Sequence, residues 1–411
     1  MSQLNPEPIA LESTRLLGWV MHTYYTRLDE AARSKTGKVA WCSSIGPCEL
    51  LVALGFEVFF PENHGAMLGA TRTAVDLIPL ATARGYSSVI CSYLTSDIGA
   101  SLAGFTPLTR AHGLAEVPRP DVLVYNTNQC REVQDWFAYH ARAYGVPLLG
   151  VQSPRCLPEV KPSQVGDVRL QLEEMIPALE RIGGRRFESE RLREAVRLSR
   201  ECTLRYERVL RMAALRPAPI SFFDHCIHMA PAVVLRGSEQ AVDYYDHFLD
   251  ELDERAAKGV AAVPEEQIRL YWDGMPIWGR LRMLSELFRE LRAAVVASTY
   301  CNSWLFPALN PDKPLESMAR AALECFNVRD EGYKERYILE WARDFGVQGV
   351  IFHDARTCPY NTNSRFGLPR RLQEEQGLPT LVIDGDLNDL RCFSDEQAKT
   401  NIEAFLESFA G

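Results

Sequence analysis

Three cysteines are the residues of this chain best suited to carry chemistry. Cys130 closes the run Asp121-Val-Leu-Val-Tyr-Asn-Thr-Asn-Gln-Cys130, where β-favouring residues lead into a polar loop and then, from Arg131, into a helical pattern. Cys358 closes the same grammar in Gly349-Val-Ile-Phe-His-Asp-Ala-Arg-Thr-Cys358, and Cys91 follows the short apolar segment Val89-Ile90. Ligands of open α/β sheets sit at the carboxyl ends of strands, so cysteines flanked by polar residues at strand ends stand where a site forms. Thiolates converging without nearby histidine suit an iron–sulfur cluster better than a hard cation. Spacing does not specify a metal, because gaps of 39 and 228 residues match neither a CxxC zinc pattern nor a ferredoxin run. A free cysteine is also commonly a small buried hydrophobe, and the residues alone leave both readings open.

Other groups have two readings as well. Glu62 and His64, in Pro61-Glu-Asn-His-Gly65, follow a strand pattern and could move protons there, or sit in a solvated loop. The segment Ser43-Ser-Ile-Gly-Pro-Cys-Glu49 brings hydroxyls and a carboxylate to the ligand edge of a sheet, or supplies a turn and a helix cap. His225 and His228 flank Cys226 at a spacing that faces them the same way on a helix, but no further local ligand joins them and a structural role is expected. Asp384-Gly-Asp386 reads as a structural acidic turn. The chain has no GxxxxGK[ST], no GxGxxG after a strand and no GxSxG. A P-loop, a dinucleotide fingerprint and a hydrolase elbow are therefore not expected.

The elements that must position these groups alternate between strand and helix. Strands are expected at 38–41, 56–60, 121–125, 146–151, 268–272, 293–298, 349–353 and 380–384. Helices are expected at 49–54, 70–84, 96–104, 131–144, 240–258, 278–291 and 333–345. Such alternation gives doubly wound parallel sheets of the Rossmann or flavodoxin kind. Between Gln164 and Arg216 the strand signals vanish; two long amphipathic helices split by Gly183-Gly184 end at Pro217-Ala-Pro219. The expected organisation is an α/β fold of two such domains joined by a helical segment. It divides into a helical lead-in (1–35), a first α/β domain with two cluster cysteines (36–163), a helical connection (164–235) and a second α/β domain with the third cysteine (236–411). The site is then expected between domains.

Composition restricts the partners. A formal charge of −9 argues against nucleic acid or an anionic membrane as the main partner. No apolar run reaches 18 residues, and the start Ser2-Gln-Leu-Asn-Pro-Glu-Pro lacks the pattern of a signal peptide, so a cytoplasmic location is expected. Eleven cysteines in a reducing compartment are not mostly disulfides.

With these residues in place, the chain resembles the benzoyl-CoA reductase and 2-hydroxyacyl-CoA dehydratase family over about residues 38–400. The resemblance rests on Ser44-Ile-Gly-Pro-Cys-Glu-Leu50 leading to Gly55-Phe56, on Cys-Ser-Tyr-Leu-Thr-Ser-Asp-Ile-Gly at 91–99, and on Asp121 to Cys130 before Trp136-Phe137. It continues in Ala293-Ala-Val-Val-Ala-Ser298, in Gly349 to Cys358, and in Leu381-Val-Ile-Asp-Gly-Asp386. The resemblance implies that Cys91, Cys130 and Cys358 ligate a [4Fe–4S] cluster and that Ser44, Glu62 and His64 lie near substrate or cluster. It implies an acyl-CoA substrate, a homologous second catalytic subunit in a heterodimer, and an ATP-hydrolysing iron–sulfur activator fed by ferredoxin. Phe60-Pro-Glu-Asn-His-Gly-Ala66 and the Asn-Thr-Asn-Gln-Cys loop lean toward benzoyl-CoA reductase, an oxidoreductase. Two alternatives stay open within the family. One is a 2-hydroxyacyl-CoA dehydratase subunit; the other is a reductase with an [8Fe–9S] double cubane, which would recruit Cys301 and Cys325. A non-enzymatic α/β binding protein is the reading from outside the family.

Overall fold

The computed structural model describes residues 11–34 and 36–409, and among these the strands gather into two four-stranded sheets. The first holds β1 (Val39–Cys42), β2 (Glu57–Phe59), β3 (Val122–Asn126) and β4 (Leu148–Val151) in the order β2-β1-β3-β4. The second holds β5 (Ile268–Asp273), β6 (Ala293–Ser298), β7 (Gly349–Ala355) and β8 (Thr380–Gly385) in the order β6-β5-β7-β8. Every pairing is parallel. Strands β1, β3 and β6 are buried along their whole length, as near-continuous apolar runs in a sheet covered on both faces should be. The α/β class with two doubly wound sheets is therefore the observed one. The first ten positions of the expected lead-in lie outside the described residues.

In each sheet the chain winds from the centre to one edge and then to the other. The two central strands thus part company at their carboxyl ends, between β1 and β3 in the first sheet and between β5 and β7 in the second. These are the switch points where such sheets bind ligands. Buried apolar side chains of both halves join in one continuous core. The helices Pro162–Gly183 and Ser189–Met212 run as expected, parted at Gly184 in the left-handed conformation (φ 66°). Among the described residues no helix is long and apolar enough to cross a membrane.

Three departures bear on the site. Pro61-Glu-Asn-His-Gly65 is not a loop but the start of a helix, Pro61–Ala70. Phe60 is extended, Pro61 fits the first turn where no N–H partner is required, and Glu62 faces the positive end of the helix. Cys91 does not end a strand: residues 88–90 form turn and bend, with Val89 exposed, and Cys91 caps the helix Ser92–Ala103. Two apolar residues are too few for a strand, and no neighbouring edge pairs with them. The helices Pro314–Glu324 and Asp395–Glu407 are additions to the expected set.

Candidate active site

A cavity opens where the two switch points face each other. Ser44 lies two residues beyond β1, Cys130 four beyond β3, Met275 two beyond β5 and Cys358 three beyond β7, and all four line it. Helix-borne residues complete the walls: Glu62, Cys91, Tyr93, Glu132 and Trp136 from the first half, Trp278 and Tyr300 from the second.

Ser44 reaches the cavity because the loop after β1 is tied down behind it. Ser43 N–H donates to Val124 O (3.0 Å), and Ser43 Oγ accepts from Asn126 N (3.0 Å), fixing the loop to β3. The turn then doubles back so closely that a Cβ on Gly46 would stand 2.7 Å from Cys42 Sγ and 2.8 Å from Ser43 O, which only glycine avoids. Ser44 N–H donates to Glu62 Oε1 at 3.1 Å. The other Glu62 oxygen has no partner among the described residues. Burial pushes the Glu62 carboxyl up to about 7, against the pull of the Ser44 amide. A cavity-facing carboxyl with that value can hold or release a proton near neutrality.

Cys91, Cys130 and Cys358 line the same cavity, from three segments far apart in the chain. Burial raises the Cys91 thiol well above its usual range, and the neighbouring Cys358 and Cys130 raise it further. Burial also raises Cys130, with Glu132 and Cys358 adding to it, and takes Cys358 up to about 12. Neighbouring thiols kept protonated by burial would become thiolates on binding a cation. Among the described residues no three His, Cys, Asp or Glu converge tightly enough to hold a single metal ion. A cubane is held by cysteine thiolates on separate irons, so its ligands need not meet at one point. The all-sulfur donor set fits such a cluster.

His64 does not reach the cavity. Its Nδ1 pairs with Asp97 Oδ1 (2.6 Å) and its Nε2 with Thr106 Oγ1 (3.0 Å). Asp97 also pairs with His140 Nε2 (2.6 Å) and accepts from Trp136 Nε1 (2.8 Å). Burial works against the Asp97 charge, but His140 and His64 override it and hold the carboxyl well below its ordinary range. One carboxylate thereby binds three helices: Pro61–Ala70, which carries Glu62; Ser92–Ala103, which Cys91 caps; and Glu132–Tyr144, which begins two residues after Cys130. His225 and His228 do not converge either. His228 Nε2 pairs with Thr14 Oγ1 (3.3 Å), and both ring nitrogens of the buried His225 lack a partner among the described residues. Cys301 is fully buried, and Cys325 donates to Ala321 O (3.2 Å) beside a different cavity.

Sequence reasoning misses Glu132 and the aromatic lining of Tyr93, Trp136, Trp278, Tyr300 and Trp304. Glu132 follows Cys130 by two positions, which is the one legible signal. Its carboxyl is raised by burial, and its Oε2 is buried and unpartnered among the described residues. Trp278 Nε1 donates to Tyr93 OH, joining the two halves across the cavity.

The family model described as 2-hydroxyglutaryl-CoA dehydratase, D-component, matches residues 43–409. The chain is 27% identical over 389 residues to the alpha subunit of lactoyl-CoA dehydratase from Anaerotignum propionicum, covering 92% of each chain. It is 27% identical over 378 residues to the alpha subunit of (R)-phenyllactyl-CoA dehydratase from Clostridium sporogenes, covering 92% of this chain and 90% of that one. It is 26% identical over 373 residues to a benzoyl-CoA reductase subunit from Thauera aromatica, covering 87% and 85%. The dehydratase subunits match more of the chain than the reductase subunit does, so the expected lean toward ring reduction gives way to the dehydratase alternative.

Proposed function

The chain belongs to the 2-hydroxyglutaryl-CoA dehydratase D-component family, and on that premise we propose that it is an iron–sulfur subunit of a radical 2-hydroxyacyl-CoA dehydratase. The observation that carries the reading is the meeting of three thiols and a proton-active carboxyl in one cavity between two switch points. Cys91, Cys130 and Cys358 would hold a [4Fe–4S] cluster, which when bound supplies a single low-potential electron to the thioester carbonyl. Ser44 presents a hydroxyl to the acyl end of the substrate. Glu62 gives a proton to the hydroxide leaving C2, a proton lost from C3 balances it and the single electron is recovered at the end, so the net change is 2-hydroxyacyl-CoA to 2-enoyl-CoA plus water. The aromatic walls exclude water from the radical and favour acyl groups with apolar or aryl side chains. A homologous second subunit, an ATP-hydrolysing activator and a ferredoxin upstream complete the proposed assembly.

The aromatic lining also suits a second reading, reduction of an aromatic acyl-CoA. Iron and acid-labile sulfide per chain, measured on protein purified without oxygen, test the cluster common to both. About four of each is the expected result, and none in correctly folded protein would sink the redox mechanism. About eight would point to a double cubane. Supplied with activator and ATP, the complex should dehydrate a 2-hydroxyacyl-CoA. Turnover of benzoyl-CoA alone would favour the second reading.

A further inference from the structure

Behind the cavity, the Cys91 and Cys358 segments meet at one fully buried side chain, Asp386, just beyond β8. Its Oδ1 accepts from Ser92 Oγ, the residue after Cys91, and its Oδ2 accepts from Thr357, the residue before Cys358, through both N (2.8 Å) and Oγ1 (2.6 Å). Ser92 N–H in turn donates to Thr357 Oγ1 at 3.0 Å, so the two neighbours of the cysteines also hold each other. Oδ1 further accepts from Asn388 N (3.1 Å) and Asp389 N (3.0 Å), which locks the carboxylate in place. Asn388 Nδ2 extends the contact into the first half, donating to Gly65 O (2.8 Å) and Ser96 Oγ (3.0 Å). Ser92 and Thr357 come from opposite halves of the chain, 265 positions apart.

We propose that Asp386 is a positioning residue that clamps the Cys91 and Cys358 segments together across the seam between the halves, setting the spacing at which the two thiols bind the cluster. A plain core contact would not draw every bond from outside its own turn from the immediate neighbours of two ligands. Partners just outside a metal's ligand set commonly change metal retention ten- to a hundredfold when removed. The inference rests on the cluster reading above, and its test is built to separate the two.

The test uses the full chain, purified without oxygen, as parent, Asp386→Asn, Thr357→Val and, as a control on the exposed neighbour, Asp384→Asn. Each is followed for iron per chain, the electron paramagnetic resonance spectrum of the reduced cluster, and the rate of iron release to a chelator. Circular dichroism and thermal melting are recorded alongside. Asp386→Asn and Thr357→Val are expected to release iron at least tenfold faster, with an altered spectrum and a retained fold, while Asp384→Asn matches the parent. Parental release rates and spectra in both variants would overturn the clamp while leaving the cluster intact. A parent without iron would overturn the cluster reading itself. Should even the milder Thr357→Val fail to fold, the network is a structural knot and the inference falls.

Discussion

Near pH 7 the Glu62 carboxyl is divided between its two protonation states, which gives its removal a distinctive signature. If it protonates the leaving hydroxyl, turnover falls as pH rises through about 7, since the donor form is lost there. Glu62→Gln should lower kcat by roughly 10²–10⁴-fold and abolish that limb of the pH profile; a variant profile that keeps the limb would assign it elsewhere. Stability follows the same proton. The folded value stands above the ordinary 4.5, so between about 4.5 and 7 the folded state binds more protons, and stability is lost as pH rises through that window. Above it, Glu62→Gln should be more stable than the parent by about 3 kcal/mol, measured by urea unfolding at pH 8. Cys130, Cys358, Ser44 and Glu62 are legible as candidates because strand-end grammar depends on local pattern. His64 is misplaced by that grammar because its partner Asp97 lies 33 positions away, and a single sequence does not show such pairings.

The helices that carry these groups are aimed by Asp97, whose bonds to His64, His140 and Trp136 join three of them. Removing one partner from a buried charged network leaves the others unpaired, at about 3–5 kcal/mol. Asp97→Ala should therefore destabilise the chain by that order in chemical denaturation. On the cluster reading, Cys91 and Cys130 should then retain iron poorly even where the protein is folded. An effect below about 1 kcal/mol would show that the helices are held by apolar packing instead. Most helices and strands are visible in the sequence through their periodicity. The two failures beside the site have definite causes. Pro61 reads as closing a strand when it opens a helix, because proline satisfies both positions equally well. Cys91 reads by analogy with Cys130 and Cys358, although Val89-Ile90 is too short to pair.

For the molecule as a whole, alternating strand and helix patterns are enough to specify two doubly wound sheets. Their mutual orientation is not legible, since the seam joins residues far apart in the chain, as in Trp278 to Tyr93 and Asn388 to Gly65. On the cluster reading, two thiolates come from one half and one from the other, so bound iron staples the halves and adds its binding free energy to folding. Stripping iron with a chelator should lower the melting temperature and broaden or split the calorimetric transition; coincident melts of loaded and stripped protein would contradict a staple. The distribution of the thiols also matters for the chain as it is made. Synthesis at roughly 5–20 residues per second releases Cys130 on the order of ten to fifty seconds before Cys358, which follows 228 residues later. On the same reading, during that interval the nascent chain displays two of the cluster thiols without the third, a half-built receptor open to oxygen and stray metals. Delivery of iron would then wait until residue 358 has emerged, and pulse-labelled chains released short of it should carry none.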